Sequence, residues 1–191
     1  MVDLQLTRLG PDFWTGNFHK WCCAPRGSAG LWVREDHRET VAPIVTSWFI
    51  GEGYPASFRW LGTDDYTPYL AVPAALESMR GLGWDRVRAH NRALARYGRD
   101  TVGEALGVDP AVDSTLDDLF EAMTIVALPE GVAATTDDVG RFYARVADEL
   151  GVEATGSPLG GRGYLRLSAQ AYNAPADYER LAEGLPLLLG D

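Results

Sequence analysis

The chain has 191 residues, 46% of them hydrophobic, which is enough to bury a core in one large or two small domains and argues against overall disorder. Seventeen basic against 27 acidic side chains give a formal charge of −10, which disfavours nucleic acid and anionic membrane as partners because both are polyanions. No run reaches the roughly 18 apolar residues a bilayer span requires, and no basic stretch with an apolar core opens the chain, so a cytoplasmic protein with small-molecule or protein partners is expected.

Met1 to Gly10 reads as the end of a helix or a loop leading into a strand at Asp12-Phe13-Trp14-Thr15. Ala29 to Val33, after the Gly27-Ser28 turn, is a second predicted strand. Glycine, proline and aromatic residues dominate Trp48 to Pro73, a pattern that predicts an ordered loop region with a short helix. From Trp84 the apolar positions Val87, Leu94, Ala105 and Leu106 predict a long helix, interrupted near Gly98 and ended by Gly107. Met123 to Leu128 is a buried strand, stopped by Pro129 and Gly131. The clearest helix runs from about Asp137 to Leu150, with Val139, Phe142, Tyr143, Val146 and Leu150 on one face. Thr135 and Asp138 resemble a capping pair there, and Gly151 is the stop. Arg162 to Ala169 alternates, placing Leu165 and Leu167 on one side of a strand and Tyr164, Arg166 and Ser168 on the other. The last helix starts near Pro175 and buries Tyr178, Leu181, Leu185 and Leu188. Helices and strands mix throughout, giving an α/β or α+β class, and the composition change near Gly81 to Trp84 divides residues 1–82 from a small αβ domain at 83–191.

The most informative segment is Asp12 to Leu31. Its His19-Lys20 pair follows a strand directly and precedes a Pro25-Arg26-Gly27-Ser28 turn, which puts a primary amine where the chain reverses. A lysine so placed forms a Schiff base when burial or a nearby cation deprotonates it, although a lone His-Lys is ordinarily a solvated pair. Arg166 offers a planar guanidinium that can grip a carboxylate through two parallel hydrogen bonds; a surface salt bridge is its plainer explanation. His37 and His90 stand among charged residues and are expected to face solvent. Gly160 to Gly163 lacks the Lys-Ser/Thr of a phosphate loop and reads as a flexible turn. The pairs Asp117-Asp118 and Asp137-Asp138 read as solvated or helix-start acids rather than a metal site. Cys22 and Cys23 are the only cysteines; as chain neighbours they form no ordinary unstrained bridge, and they lack the companions of a zinc site.

Three ordered motifs together resemble the class V aminotransferase family of pyridoxal-phosphate (PLP) enzymes. Asn17-Phe18-His19-Lys20-Trp21 with Gly27-Ser28-Ala29-Gly30-Leu31 resembles the cofactor-lysine segment of the isopenicillin N epimerase-like branch; other members carry small residues where Asn17 and Phe18 stand. Arg59 to Asp64 resembles the family's Gly-Thr motif, and Arg166-Leu167-Ser168 with Tyr172-Asn173 and Asp177 resembles its Arg-x-Ser...Tyr-Asn...Asp signature.

The resemblance implies the C-terminal part of a PLP-dependent transferase fold, with 1–82 completing the large domain. Lys20 would be the catalytic lysine, with Thr15, Asn17 and His19 positioning the cofactor. Thr63 would reach the phosphate in the neighbouring subunit of a homodimer, and Arg166 would hold an amino-acid substrate's carboxylate. The aspartate that pairs with the pyridine nitrogen in the family has no counterpart in this sequence, so an N-terminal half is expected from a companion chain or from a start site placed further upstream. Epimerisation is the first expectation, amino transfer or carbon–sulfur lysis the second, and a noncatalytic remnant the third.

Overall fold

The computed structural model describes residues 2–108 and 120–190, so the Asp117-Asp118 pair lies outside the described residues. Two compact units divide the chain, Val2–Gly83 and Trp84–Asp191.

The first unit is built on a two-stranded antiparallel hairpin. Strand β1 (Phe13–Asn17) follows a single helical turn, α1 (Leu6–Leu9), and pairs with β2 (Ala29–Val33) in a register that sets Phe13 opposite Val33 and Asn17 opposite Ala29. Cross-strand partners Gly16 and Gly30 leave gaps that aromatic rings fill, Trp14 lying over Gly16 and Phe18 over Gly30. Asp12 clasps the open end, since its carboxylate meets Arg34 at 2.6 Å and His37 Nε2 at 3.3 Å. His37 therefore departs from the expected solvent-facing position: it is half-buried, with its ring 5.3 Å from that of Phe13. His90 is exposed.

The loop region predicted for 48–73 is shorter than expected, because α2 already begins at Thr67 and runs to Leu82. Asp65 accepts the Thr67 N–H at 2.9 Å and Pro68 stands in the first turn, where its missing N–H costs nothing. Pro73 lies inside the helix and conceals it from a sequence reading, since an interior proline normally signals a stop. Val72 and Met79, two turns apart, are its buried positions.

The second unit is an αβ sandwich. Helix α3 (Trp84–Ala105) is continuous through Gly98, against the predicted interruption. Gly98 is a notch rather than a break: a Cβ there would stand 2.3 Å from the Tyr178 ring, so only glycine lets the two pack. Strand β3 (Met123–Ala127), helix α4 (Thr136–Leu150) and strand β5 (Arg162–Ser168) lie close to their expected places. Strand β4 (Thr155–Leu159) was not foreseen. It pairs with β5 through a two-residue turn at Gly160-Gly161, whose φ values of 56° and 79° match the tight hairpin turn that requires left-handed backbone, so this segment is a fixed reversal rather than a flexible one. The antiparallel sheet has the order β3-β5-β4.

One face of this sheet carries the core. Val126, Leu128, Leu165 and Leu167 meet Leu94 and Val102 of α3, Phe142 and Val146 of α4, and Leu181, Leu185 and Leu188 of α5 (Pro175–Leu189). Burying each such side chain contributes roughly 1.5–3 kcal/mol, which makes this cluster the main source of the unit's stability. Thr135 caps α4 by accepting the Asp138 N–H, as its sequence pattern predicts. On the sheet's other face Met123, Ile125 and Arg166 remain exposed.

Candidate cofactor and substrate site

Lys20 sits on a short turn whose neck is tied by backbone bonds. The Phe18 N–H donates to Ser28 O at 3.1 Å, extending the hairpin ladder by one step, and the Ala24 N–H donates back to Phe18 O at 3.1 Å. Within this loop the Cys23 N–H donates to Lys20 O at 3.3 Å, and Cys23 holds a left-handed φ of 57°, uncommon for a side-chain-bearing residue. Ser28, buried at the neck, donates its hydroxyl to Pro25 O at 3.3 Å. The amine is thus carried on an ordered reversal rather than on a loose loop.

The Lys20 side chain is exposed and makes no ion pair among the described residues. The residue before it is unusual in another way: His19 Nδ1 is buried without a hydrogen-bond partner. Leaving such a nitrogen unpaired costs about 1–3 kcal/mol. Thr15 and Asn17, two apart on β1, present their side chains on its exposed face. The sequence itself carries a further signal: Lys20 is the only lysine, and every other basic side chain of the 17 is arginine. Arginine serves for solvation and salt bridges, but only lysine supplies an amine that can react with an aldehyde.

Thr63 is exposed on the bend leading into α2, after Gly62. Tyr66 stabilises this bend by donating its hydroxyl to Gly62 O at 2.8 Å and stacking on Trp60 with centroids 5.5 Å apart. No hydrogen bond joins Thr63 to the Lys20 turn among the described residues.

In the second unit Arg166 projects from the middle of β5, between Ile125 and Thr155 on the flanking strands, while Leu165 and Leu167 point into the core. The alternation seen in the sequence is therefore correct. Arg166 borders a cleft of about 150 Å³ that Thr155, Ser168, Asn173 and Asp177 also line. The salt bridge that would be its plain explanation is absent among the described residues. The rest of the C-terminal signature builds the support. Asn173 accepts the Gln170 N–H at 3.0 Å and donates to Asp177 at 3.0 Å, and Asp177 accepts the Ala174 N–H, closing the first turn of α5. These contacts hold the Asp177 carboxyl below the usual carboxylate range, with Asn173 the leading cause and the Ala174 N–H next. Asn173 and Asp177 are therefore positioning residues for the cleft wall. Tyr143, near Arg166, donates to Tyr164 O at 3.0 Å, and burial pushes its phenol up to about 12 despite the opposing guanidinium.

No protein-family model matches the chain. Its fold is similar to that of the apo cysteine desulfurase of Thermococcus onnurineus NA1, with a TM-score of 0.68 at 18% identity over 97% of this chain and 49% of that one. It is also similar to the cysteine desulfurase CsdA of Escherichia coli, with a TM-score of 0.64 at 19% identity over 96% and 47%. That likeness defines the fold: a mixed αβ structure equivalent to the C-terminal half of a type I PLP-dependent protein. By sequence the chain is 34% identical over 199 residues to isopenicillin N epimerase of Amycolatopsis lactamdurans, covering 96% of this chain and 48% of that protein. It is 31% identical over 209 residues to a probable chloroplastic L-cysteine desulfhydrase of Arabidopsis thaliana, covering all of this chain and 42% of that protein. The relatives it matches, isopenicillin N epimerase and the L-cysteine desulfhydrases, are PLP-dependent proteins of the class V aminotransferase kind, and the likeness to them runs over 96% or more of this chain. It spans about half the length of the curated relatives it matches. Among the described residues no helix is long and apolar enough to cross a membrane.

Proposed function

We propose that this chain supplies the C-terminal part of a PLP-dependent site acting on an amino acid, with Lys20 as the residue that holds the coenzyme. The observation that carries the proposal is the chain's single lysine, exposed and without an ion pair among the described residues, on a turn whose neck is fixed by backbone bonds. The side chains present fit an aldehyde-bearing, phosphorylated ring: Lys20 supplies the amine, His19 stands directly before it, and Thr15 and Asn17 offer exposed polar groups on the strand that leads to it. The coenzyme, when bound, supplies the electron sink for chemistry at the substrate's α-carbon. Lys20 would hold the coenzyme and its amine would carry the substrate's α-proton, and Arg166 would orient the substrate through its carboxylate. Thr63 would serve the phosphate of a coenzyme held by the neighbouring subunit of a homodimer. Residues 1–82 complete the large domain and 83–191 form the small one, while a companion polypeptide provides the acid for the pyridine nitrogen.

Incubation with PLP followed by borohydride reduction and peptide mapping tests the assignment. A pyridoxyl mass is expected on Lys20, and label confined to the N-terminal amine would overturn it. Weak binding and little turnover are expected of the isolated chain, because the pyridine partner is not among its residues.

For the reaction, an isopenicillin N epimerase-like inversion at the α-carbon is the first reading, supported by the 34% identity to that enzyme. Carbon–sulfur lysis is the second, favoured by the L-cysteine desulfhydrase that matches the entire chain. The site completed by its N-terminal part separates them: sulfide released from L-cysteine supports lysis, whereas deuterium uptake at the α-carbon with loss of optical rotation and no sulfide supports epimerisation.

A further inference from the structure

The mechanism leaves unused two nucleophilic side chains on the very turn that carries Lys20. Cys22 and Cys23 are adjacent, and neither is engaged in a disulfide. Cys23 is exposed and Cys22 half-buried, so reagents can reach the pair. The thiols are electrostatic neighbours: burial pushes the Cys22 thiol up, and Cys23 adds to the effect.

What such a pair can do follows from its geometry. A direct disulfide favours Cα atoms about 4.4–6.8 Å apart, whereas a trans peptide holds consecutive Cα atoms at about 3.8 Å. A bridge between Cys22 and Cys23 would be strained and easily reduced. Placing one atom between the two sulfurs enlarges the ring and relieves that constraint. The backbone on both sides is already tied, by the Cys23 N–H to Lys20 O and the Ala24 N–H to Phe18 O, so little backbone entropy opposes the joint use of two thiols carried one peptide bond apart. Soft thiol ligands select soft, thiophilic centres.

We propose that Cys22 and Cys23 form a two-thiol capture site for a trivalent arsenical, a thiophilic centre that bonds to both sulfurs. With an organoarsenic oxide the balance is simple: two S–H bonds and the arsenic–oxygen double bond are lost, two arsenic–sulfur bonds form, and the protons leave with the oxygen as one water. Arsenic stays trivalent and no oxidant is needed. The proposal is independent of any coenzyme on Lys20.

The test uses the full chain, reduced and freed of reductant, with phenylarsine oxide as the probe. Intact mass is expected to show one arsenical per chain with both thiols consumed. The adduct should survive excess monothiol and be removed by a dithiol such as 2,3-dimercaptopropanol. In Cys22→Ser and Cys23→Ser the apparent affinity should fall on the order of 100-fold or more, because the second bond is no longer intramolecular. Removal of the wild-type adduct by monothiol alone would overturn the proposal, and so would equal retention by either variant. The monothiol comparison is made on the unaltered chain, so it holds even if a variant fails to fold.

Discussion

The two units reach order by different means. In Trp84–Asp191 three helices cover one face of a three-stranded sheet, and the buried cluster includes Leu128, Leu165 and Leu185 with essentially no exposed surface. In Val2–Gly83 the buried apolar residues are few, Ala24, Val33, Val72 and Met79, whereas Ile44, Trp48, Leu61 and Leu70 are substantially exposed. Its shape rests instead on backbone turns, the Asp12–Arg34 clasp and a chain of rings running Trp48, Trp60, Tyr66, Tyr69. One unit holds itself together by burial, and the other leaves large apolar side chains exposed. Lys20 stands on the second kind of scaffold and Arg166 on the first.

Separating the units gives the largest contrast. Residues 84–191 produced alone are expected to melt cooperatively by calorimetry, and residues 1–83 alone to show no cooperative transition and to self-associate. If both melt cooperatively, the comparison is wrong. Within the second unit, Leu165→Ala is expected to cost about 2–5 kcal/mol in chemical denaturation, because it opens a cavity at the centre of the sheet's packed face. Gly98→Ala should cost about 1–3 kcal/mol by the opposite route, overpacking against the Tyr178 ring.

A graded effect follows from the buried phenols. Burial pushes Tyr143 and Tyr178 up to about 12 from the ordinary 10, with Asp177 and then Tyr172 adding to the rise at Tyr178. The folded state then binds these protons more tightly than the unfolded one. Their contribution to stability is complete below pH 10 and is lost as pH rises from 10 through about 12. Denaturation midpoints measured across that window should fall, and Tyr143→Phe should flatten the fall. The smallest effect is expected at the proposed site: Lys20→Ala, at an exposed amine without an ion pair among the described residues, should leave the melting temperature unchanged while abolishing pyridoxyl labelling. A marked loss of stability would make Lys20 a structural residue.

Much of this was legible beforehand where period and cap agree. The apolar stripe of α4 with Thr135 and Gly151 at its ends, the alternation of β5, and the start of α5 at Pro175 each depend on neighbours within a few residues. The extent of α2 was hidden because Pro73 locally argues against a helix that distant packing retains. Strand β4 was hidden too: Thr155-Gly156-Ser157-Pro158 has weak strand propensity and owes its form to pairing with β5.

By itself the sequence determined the elements with strong local signals, the three motifs that resemble one family, and the presence of a single lysine among arginines. Only the tertiary structure decided that Gly98 is a seat for Tyr178, that His37 is clasped to Asp12, that Arg166 has no salt bridge among the described residues, and that His19 keeps a buried nitrogen unpaired. The physical reason is range. Propensity and periodicity act over a few bonds, whereas a side chain's partners and its access to water are set by residues far along the chain that folding brings beside it.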